Sequence, residues 1–220
     1  MIAVLTGDIV ASSRVPEDQR AAMLDRLDRA IGSLSPLAQQ IFRGDAFQAA
    51  LAEPARCLDA ALQLQLRMED PDFADGPSRE LRLGLGLGEA TAPPGEPIGR
   101  WSGRAFVQAA GALSGLEGAA GGRRLALRSP WPSLDAELAV ELALLDALRR
   151  RWTPEQRAAV LGALSGQTQA EQAAALGVTQ PAVSQRLRAA GWDALQRLRE
   201  RVHTQVAAGL DGQLFEEGDL

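Results

Sequence analysis

The chain has 220 residues, 46% of them hydrophobic, with 28 acidic residues against 23 basic ones and a formal net charge of -5, and a chain of this length can bury one large core or two small ones. Runs of about 18 apolar residues, the minimum for a bilayer span, are missing, the opening MIAVLTGD has no basic signal-peptide start, and the single cysteine, Cys57, excludes an internal disulfide and a thiolate metal cage. A globular cytoplasmic protein with a buried, inert thiol at Cys57 is the expectation.

From the start, IAVLTGDIV reads as a buried strand ending at Gly7-Asp8, and Met23, Leu24, Leu27 and Ile31 recur at helical spacing after it. The stretch LAQQIFRGDAFQAAL gives two apolar arms about Gly44-Asp45, a hairpin signal. A helix from Glu53 to Met68 follows, with Cys57, Leu58, Ala61, Leu62 and Leu66 on its inner face. LRLGLGLGEA alternates leucine with small or charged residues and reads as a strand whose glycine face lies close under a helix or ligand. Its spacing is not the G-x-G-x-x-G of a dinucleotide loop. GRAFVQAAGALSGL is then a helix and RRLALRS a last strand. This order suits an α+β sandwich with helices on one face of an antiparallel sheet.

After the punctuation SPWPS, LDAELAVELALLDALRRR is an unbroken helix. The expected division is an α+β domain over 1–130, a connecting helix over 131–152, an all-α helix-turn-helix domain over 153–205 and an acidic tail over 206–220. Charge follows it: all basic residues are arginine, and residues 149–203 carry nine of them against four acidic residues, whereas residues 1–148 carry 14 against 20.

Thr153-Pro154 with Gln156, and Thr168 with Glu171, are capping-box helix starts. Ala173 on an inner face, Gly177 at a left-handed turn, Thr179 as the next cap and Val183 and Leu187 pointing inward have the spacing of two helices crossing at a tight turn. EQAAALGVTQPAVSQRL resembles the helix-turn-helix of sigma-factor region four and related bacterial regulators. That resemblance implies duplex DNA as a partner, with Thr179, Gln180, Ser184, Gln185 and Arg188 toward the major groove and Arg186, Arg197 and Arg199 toward phosphates. A plain helical hairpin used for dimerisation is the alternative. Because one recognition helix covers little surface, a homodimer is expected, with Leu138, Leu142, Leu145 and Leu148 as one seam and packing within the chain as its equal. His203, alone after a basic helix, reads as a solvated surface residue.

Upstream, Asp8 and Asp45 emerge at one sheet edge if their strands are neighbours, and two carboxylates there suit a divalent cation that bridges nucleotide phosphates. The element order resembles the palm-like domain of class III nucleotidyl cyclases, and GDIVASSR, GDAFQ, LRLGLGLGE and GRAFVQAAGAL resemble the SatD family, over about residues 1–128. The resemblance implies Mg2+ or Mn2+ at Asp8 and Asp45. In the cyclases the helix after the glycine-rich strand supplies an asparagine and an arginine to the transferring phosphate; Gln108 and Ala112 stand at the matching places here, with Arg104 or Arg100 as substitutes. The missing arginine argues against efficient cyclisation. The expected function is a DNA-binding regulator whose N-terminal half senses a ligand or dimerises, and the alternative is a metal-dependent enzyme acting on nucleotides with a DNA-targeting arm.

Overall fold

The computed structural model describes residues 1–42, 44–77, 79–116 and 122–212. In chain order the elements are β1 (Ile2–Ile9), α1 (Glu17–Gly32), β2 (Ala38–Ile41), β3 (Phe47–Leu51), α2 (Cys57–Glu69), β4 (Leu81–Gly88), α3 (Arg104–Ser114), β5 (Leu125–Arg128), α4 (Pro132–Arg149), α5 (Pro154–Leu164), α6 (Gln169–Leu176), α7 (Gln180–Ala189) and α8 (Trp192–Leu210). The five strands form one sheet in the order β2-β3-β1-β4-β5. The hairpin about Gly44, which adopts φ 89°, joins β2 to β3.

Strand periodicity sets the two faces. Ala3, Leu5, Phe47, Ala49, Leu83, Leu85 and Leu87 join one large buried cluster with Met23, Leu27 and Ile31 of α1 and Leu58, Ala61 and Leu62 of α2. Cys57 belongs to that cluster, and burial pushes its thiol up to about 12. The opposite face is smaller: Val4 meets Ala105 and Ala109 of α3. A Cβ added at Gly84 or Gly86 would run into the α3 backbone, at Ala109 and Leu113 for the first and Ala105 and Ala109 for the second. The glycine face of β4 therefore lets a helix lie directly on the strand.

The α+β class and the mainly antiparallel sheet are as expected, with two corrections. Helices cover both faces, because the glycine stripe seats α3 opposite α1 and α2. The last strand, β5, runs parallel to β4, since α3 serves as a crossover between them.

The edge strand β5 is covered by α4. Asp146 Oδ2 accepts from the N–H of Arg124 at 2.7 Å and of Leu125 at 3.1 Å, and Asp135 accepts from the Ser129 N–H at 3.1 Å. Two carboxylates on one helix thus satisfy backbone donors at both ends of the strand. Burial raises the Asp135 carboxyl above its ordinary value. Leu138, Leu142 and Leu145 of α4 are buried in the main cluster and Leu148 packs against it, so the leucine seam is used within the chain. That cluster also includes Ala159, Val160, Ala173, Val183, Leu187, Leu195, Val202 and Val206. The core therefore continues from the sheet into the C-terminal helices without a break. Helix α8 runs to Leu210, past the expected start of the tail at 206, because Val202 and Val206 face inward and Gly209 lies against the Trp131 ring; residues 213–220 of that tail lie outside the described residues.

Candidate functional site

Two places bring polar side chains together at a surface. The first is the end of the sheet where β1 finishes. Antiparallel pairing sets Gly7 opposite Phe47 and Asp8 opposite Arg82, so the β2-β3 turn comes up beside Asp8. Asp45 Oδ2 accepts from the Ile9 N–H at 2.8 Å. Asp8 is held bidentately by Arg82, Nε to Oδ1 at 2.9 Å and Nη2 to Oδ2 at 3.0 Å. Beyond it Ala11 takes the left-handed φ of 57° and Ser12–Arg14 form a short 3-10 turn.

Asp8 and Asp45 are therefore neighbours at one edge, with Arg82 as a third member that the sequence reading missed. Its signal was the register: only pairing β1 with β4 puts Arg82 across from Asp8. Asp8 already has a guanidinium partner on both oxygens in Arg82, and Asp45 has a backbone partner in the Ile9 N–H. Among the described residues no group of three or more His, Cys, Asp or Glu side chains is placed to hold a metal.

Arg104 and Gln108 do not come to that edge within one chain. Arg104 opens α3 beside Gly88, and Gly88 pairs with Ile2 at the far end of the strand from Arg82, roughly 20 Å away over six residues. Gln108 Nε2 donates to the Ser129 carbonyl at 2.9 Å and ties α3 to the end of β5. Ala112, at the place of the cyclase arginine, is buried. The other substitute, Arg100, is exposed and lies 4.0 Å from Glu96.

The second place is the surface of α7. Thr168 and Glu171 form a reciprocal capping box, with the Thr168 N–H to Glu171 Oε2 at 2.7 Å, and the bond from that backbone N–H holds the Glu171 carboxyl below its ordinary value. Helix α6 stops because Gly177 turns left-handed at φ 63°. Thr179 then caps α7, its hydroxyl accepting from the Ala182 N–H at 3.4 Å. Ala173, Val183 and Leu187 are buried, where α6 and α7 pack on each other and on α5. What remains outward is Thr179, Gln180, Gln185 and Arg188, with Ser184 and Arg186 half-buried beside them.

The basic side chains of α8 divide. Arg197 is exposed. Arg199 is turned inward: both its Nε and Nη2 donate to the Asp59 carboxylate, at 2.5 and 2.7 Å, and its guanidinium lies over the Trp192 ring. Arg199 therefore leaves the set of phosphate-facing side chains, because a bidentate ion pair across 140 residues already occupies it. Arg201 is likewise paired, with Glu137 and Glu141.

No protein-family model and no curated protein matches this chain. Among solved structures it is similar to nucleotidyl cyclase domains. One is a bacterial light-regulated adenylyl cyclase, at 13% identity over 57% of this chain and 74% of that one, with a TM-score of 0.39. Another is the active GGEEF domain of a diguanylate cyclase from Vibrio cholerae, at 16% identity over 58% and 81%, with a TM-score of 0.42. A third is the guanylyl cyclase domain of a RhoGC fusion protein from the aquatic fungus Blastocladiella emersonii, at 22% identity over 51% and 74%, with a TM-score of 0.39. These overlaps are partial.

Proposed function

We propose that the protein is a DNA-binding regulator that reads duplex DNA with α7, held on a cyclase-like α+β body. The observation that carries this reading is the α6-turn-α7 unit: two capped helices crossing at a left-handed glycine, with the apolar residues Ala173, Val183 and Leu187 inside and Gln180, Gln185 and Arg188 outside. In a helix-turn-helix the first turns of the second helix enter the major groove, where glutamine pairs with adenine and arginine with guanine. Residues 153–205 are the DNA-reading part in this view, 131–152 the connection and 1–130 the body, with a homodimer supplying two half-sites. The acidic body keeps background affinity for DNA low.

Replacing Arg188 with alanine should weaken binding to a selected site by about 1–3 kcal/mol and relax preference at one base pair. Replacing Arg197 with alanine should instead weaken all sequences alike and flatten the salt dependence by about one unit of slope. Electrophoretic titrations at several salt concentrations separate the two. Equal affinity of the parent for selected and scrambled duplexes overturns sequence reading by α7.

A second reading rests on the Asp45-to-Ile9 hydrogen bond, which brings Asp45 beside Asp8. Asp8 and Asp45 would hold a magnesium or manganese ion, which when bound neutralises nucleotide phosphate charge. The chain's own contribution is Arg82, which orients Asp8. A bound cation stabilises the folded chain, so added manganese with a nucleoside triphosphate should raise the melting temperature. Asp45→Asn should abolish that rise while leaving DNA binding intact. A rise that survives both Asp8→Asn and Asp45→Asn removes the site.

A further inference from the structure

One flank of α7 is turned toward the body. Val183 and Leu187 are buried, Gln185 and Arg188 are exposed, and the half-buried Arg186 stands between the two sets. Arg186 lines a cleft of about 460 Å³ that it shares with Asp70 and Asp72 of the loop leaving α2, with Glu155 of α5, and with the apolar Leu66 and Leu161. The Glu155 carboxyl is held below its ordinary value, first by hydrogen bonding with the Thr153 side chain, then by its own backbone N–H and by the positive charge of Arg186.

The loop, residues 70–76, reads DPDFADG, and two of its three carboxylates, Asp72 and Asp75, are exposed. A fully buried arginine holds it in place. Arg26 of α1 donates from Nη1 to the Ala74 carbonyl at 2.6 Å and from Nη2 to the Arg67 carbonyl at 2.9 Å, and its guanidinium lies 5.8 Å from the centre of the Phe73 ring. Gly76 closes the loop on α1, where a Cβ would come within 2.7 Å of the Ala22 backbone. Burying a guanidinium is unfavourable unless it is hydrogen-bonded, and these bonds go to the loop and to the end of α2. The acidic side chains are therefore fixed beside α7.

The major groove is about 12 Å wide and an α-helix with its side chains about 10–12 Å across, so a helix seated there has a wall of phosphates along each flank. On the Arg186 flank that wall meets the carboxylates of Asp72 and Glu155. We propose that the 70–76 loop is a counter-charge built into the DNA-reading surface: together with Glu155 it offsets the charge of Arg186 and repels phosphate on that flank. Affinity for every duplex is lowered, and retention is left to the base contacts of Gln185 and Arg188. The inference rests on the DNA-reading function above and names what restrains it.

Electrophoretic titration of the full chain with a selected and a scrambled duplex tests this. Asp72→Asn should tighten both alike, roughly five- to tenfold at low salt, and the gain should fade as salt is raised. Asp72→Arg should tighten them further and steepen the salt dependence by about one unit of slope. Both variants should keep the parent's unfolding midpoint, because Asp72 is exposed. Glu89→Gln removes the same charge just past the far end of β4, roughly 25 Å along the strand from Leu81, and should change affinity by less than about twofold. Arg186→Ala should matter little in the parent and more in the Asp72→Asn chain, a coupling that a change in net charge alone does not produce. Equal affinities of the parent and Asp72→Asn, or an equal gain from Glu89→Gln, overturn the inference and leave the DNA reading standing. If neither the parent nor Asp72→Arg retains any duplex, the DNA reading falls and the inference falls with it.

Discussion

Glu69→Ala is expected to lower the unfolding midpoint by roughly 6–20 °C, the consequence of about 3–5 kcal/mol lost when a buried ion pair is left with one partner, at about 2–4 °C per kcal/mol for a chain of this size. The Glu69 and Arg149 side chains are 8% and 6% exposed and meet at 2.8 Å. Arg157 of α5 approaches the second Glu69 oxygen at 3.3 Å. Arg149 also donates to the Gln65 side-chain oxygen. Gln65 in turn donates at 3.2 Å to the carbonyls of Leu81 and Arg124. One carboxylate therefore neutralises two guanidinium groups at the place where α2, α4 and α5 meet the sheet. Without it, the buried Arg149 guanidinium is left without a carboxylate, next to Arg157, whose side chain is 31% exposed. Replacing Glu69 with leucine together with Arg149 with methionine should recover part of the loss, since the more deeply buried guanidinium is then gone and Arg157, whose side chain is 31% exposed, keeps contact with water. Differential scanning calorimetry of the parent and the two variants measures this. A midpoint for Glu69→Ala within about 2 °C of the parent contradicts the buried network.

The second large effect is expected at Gly86. An alanine there would put its Cβ inside contact distance of the Ala105 carbonyl oxygen and the Ala109 nitrogen, and 2.8 Å from the Ala109 Cα. All three are backbone atoms of α3, so no side-chain rotation relieves the clash and the helix must lift away from the sheet. Overpacking of this kind costs about 3 kcal/mol, near the top of the usual range. Gly95 is the control, because a Cβ there meets nothing within 4 Å, although its φ of 75° imposes a smaller backbone strain. Urea unfolding should therefore rank the parent above Gly95→Ala and Gly95→Ala well above Gly86→Ala. Equal midpoints for the two variants would mean that α3 does not sit on the glycine face.

These two sites differ in how visible they are in the primary structure. The alternation of glycine with leucine in LRLGLGLGE announces a strand with one bare face, and the structure seats α3 there. The capping boxes at Thr153 with Gln156 and at Thr168 with Glu171 were legible in the same way, as were the left-handed Gly177 and the inward Val183 and Leu187. Each of these signals acts within a few residues, where backbone geometry alone decides which side chain can reach which amide or which face.

Partners far apart in the chain were not legible. Nothing near Arg199 announces Asp59, and that pairing is what turns a candidate phosphate contact inward. Arg82 reaches Asp8 only because β1 and β4 are antiparallel in one register, and the same register carries Arg104 to the opposite end of the strand from the two aspartates. The leucines of α4 are equally apt for a partner chain or for the chain's own core, and only the packing of α4 over β5 chose the core, leaving Val140 and Leu144 outside. By itself, then, the sequence determined the helices, strands, caps and turns, because those follow from local stereochemistry and hydrophobic period. Which charges are spent inside the chain, which helix faces stay open, and which residues share an edge were decided by strand register and helix docking, since ion-pair geometry and burial depend on distances across the fold that no local pattern encodes.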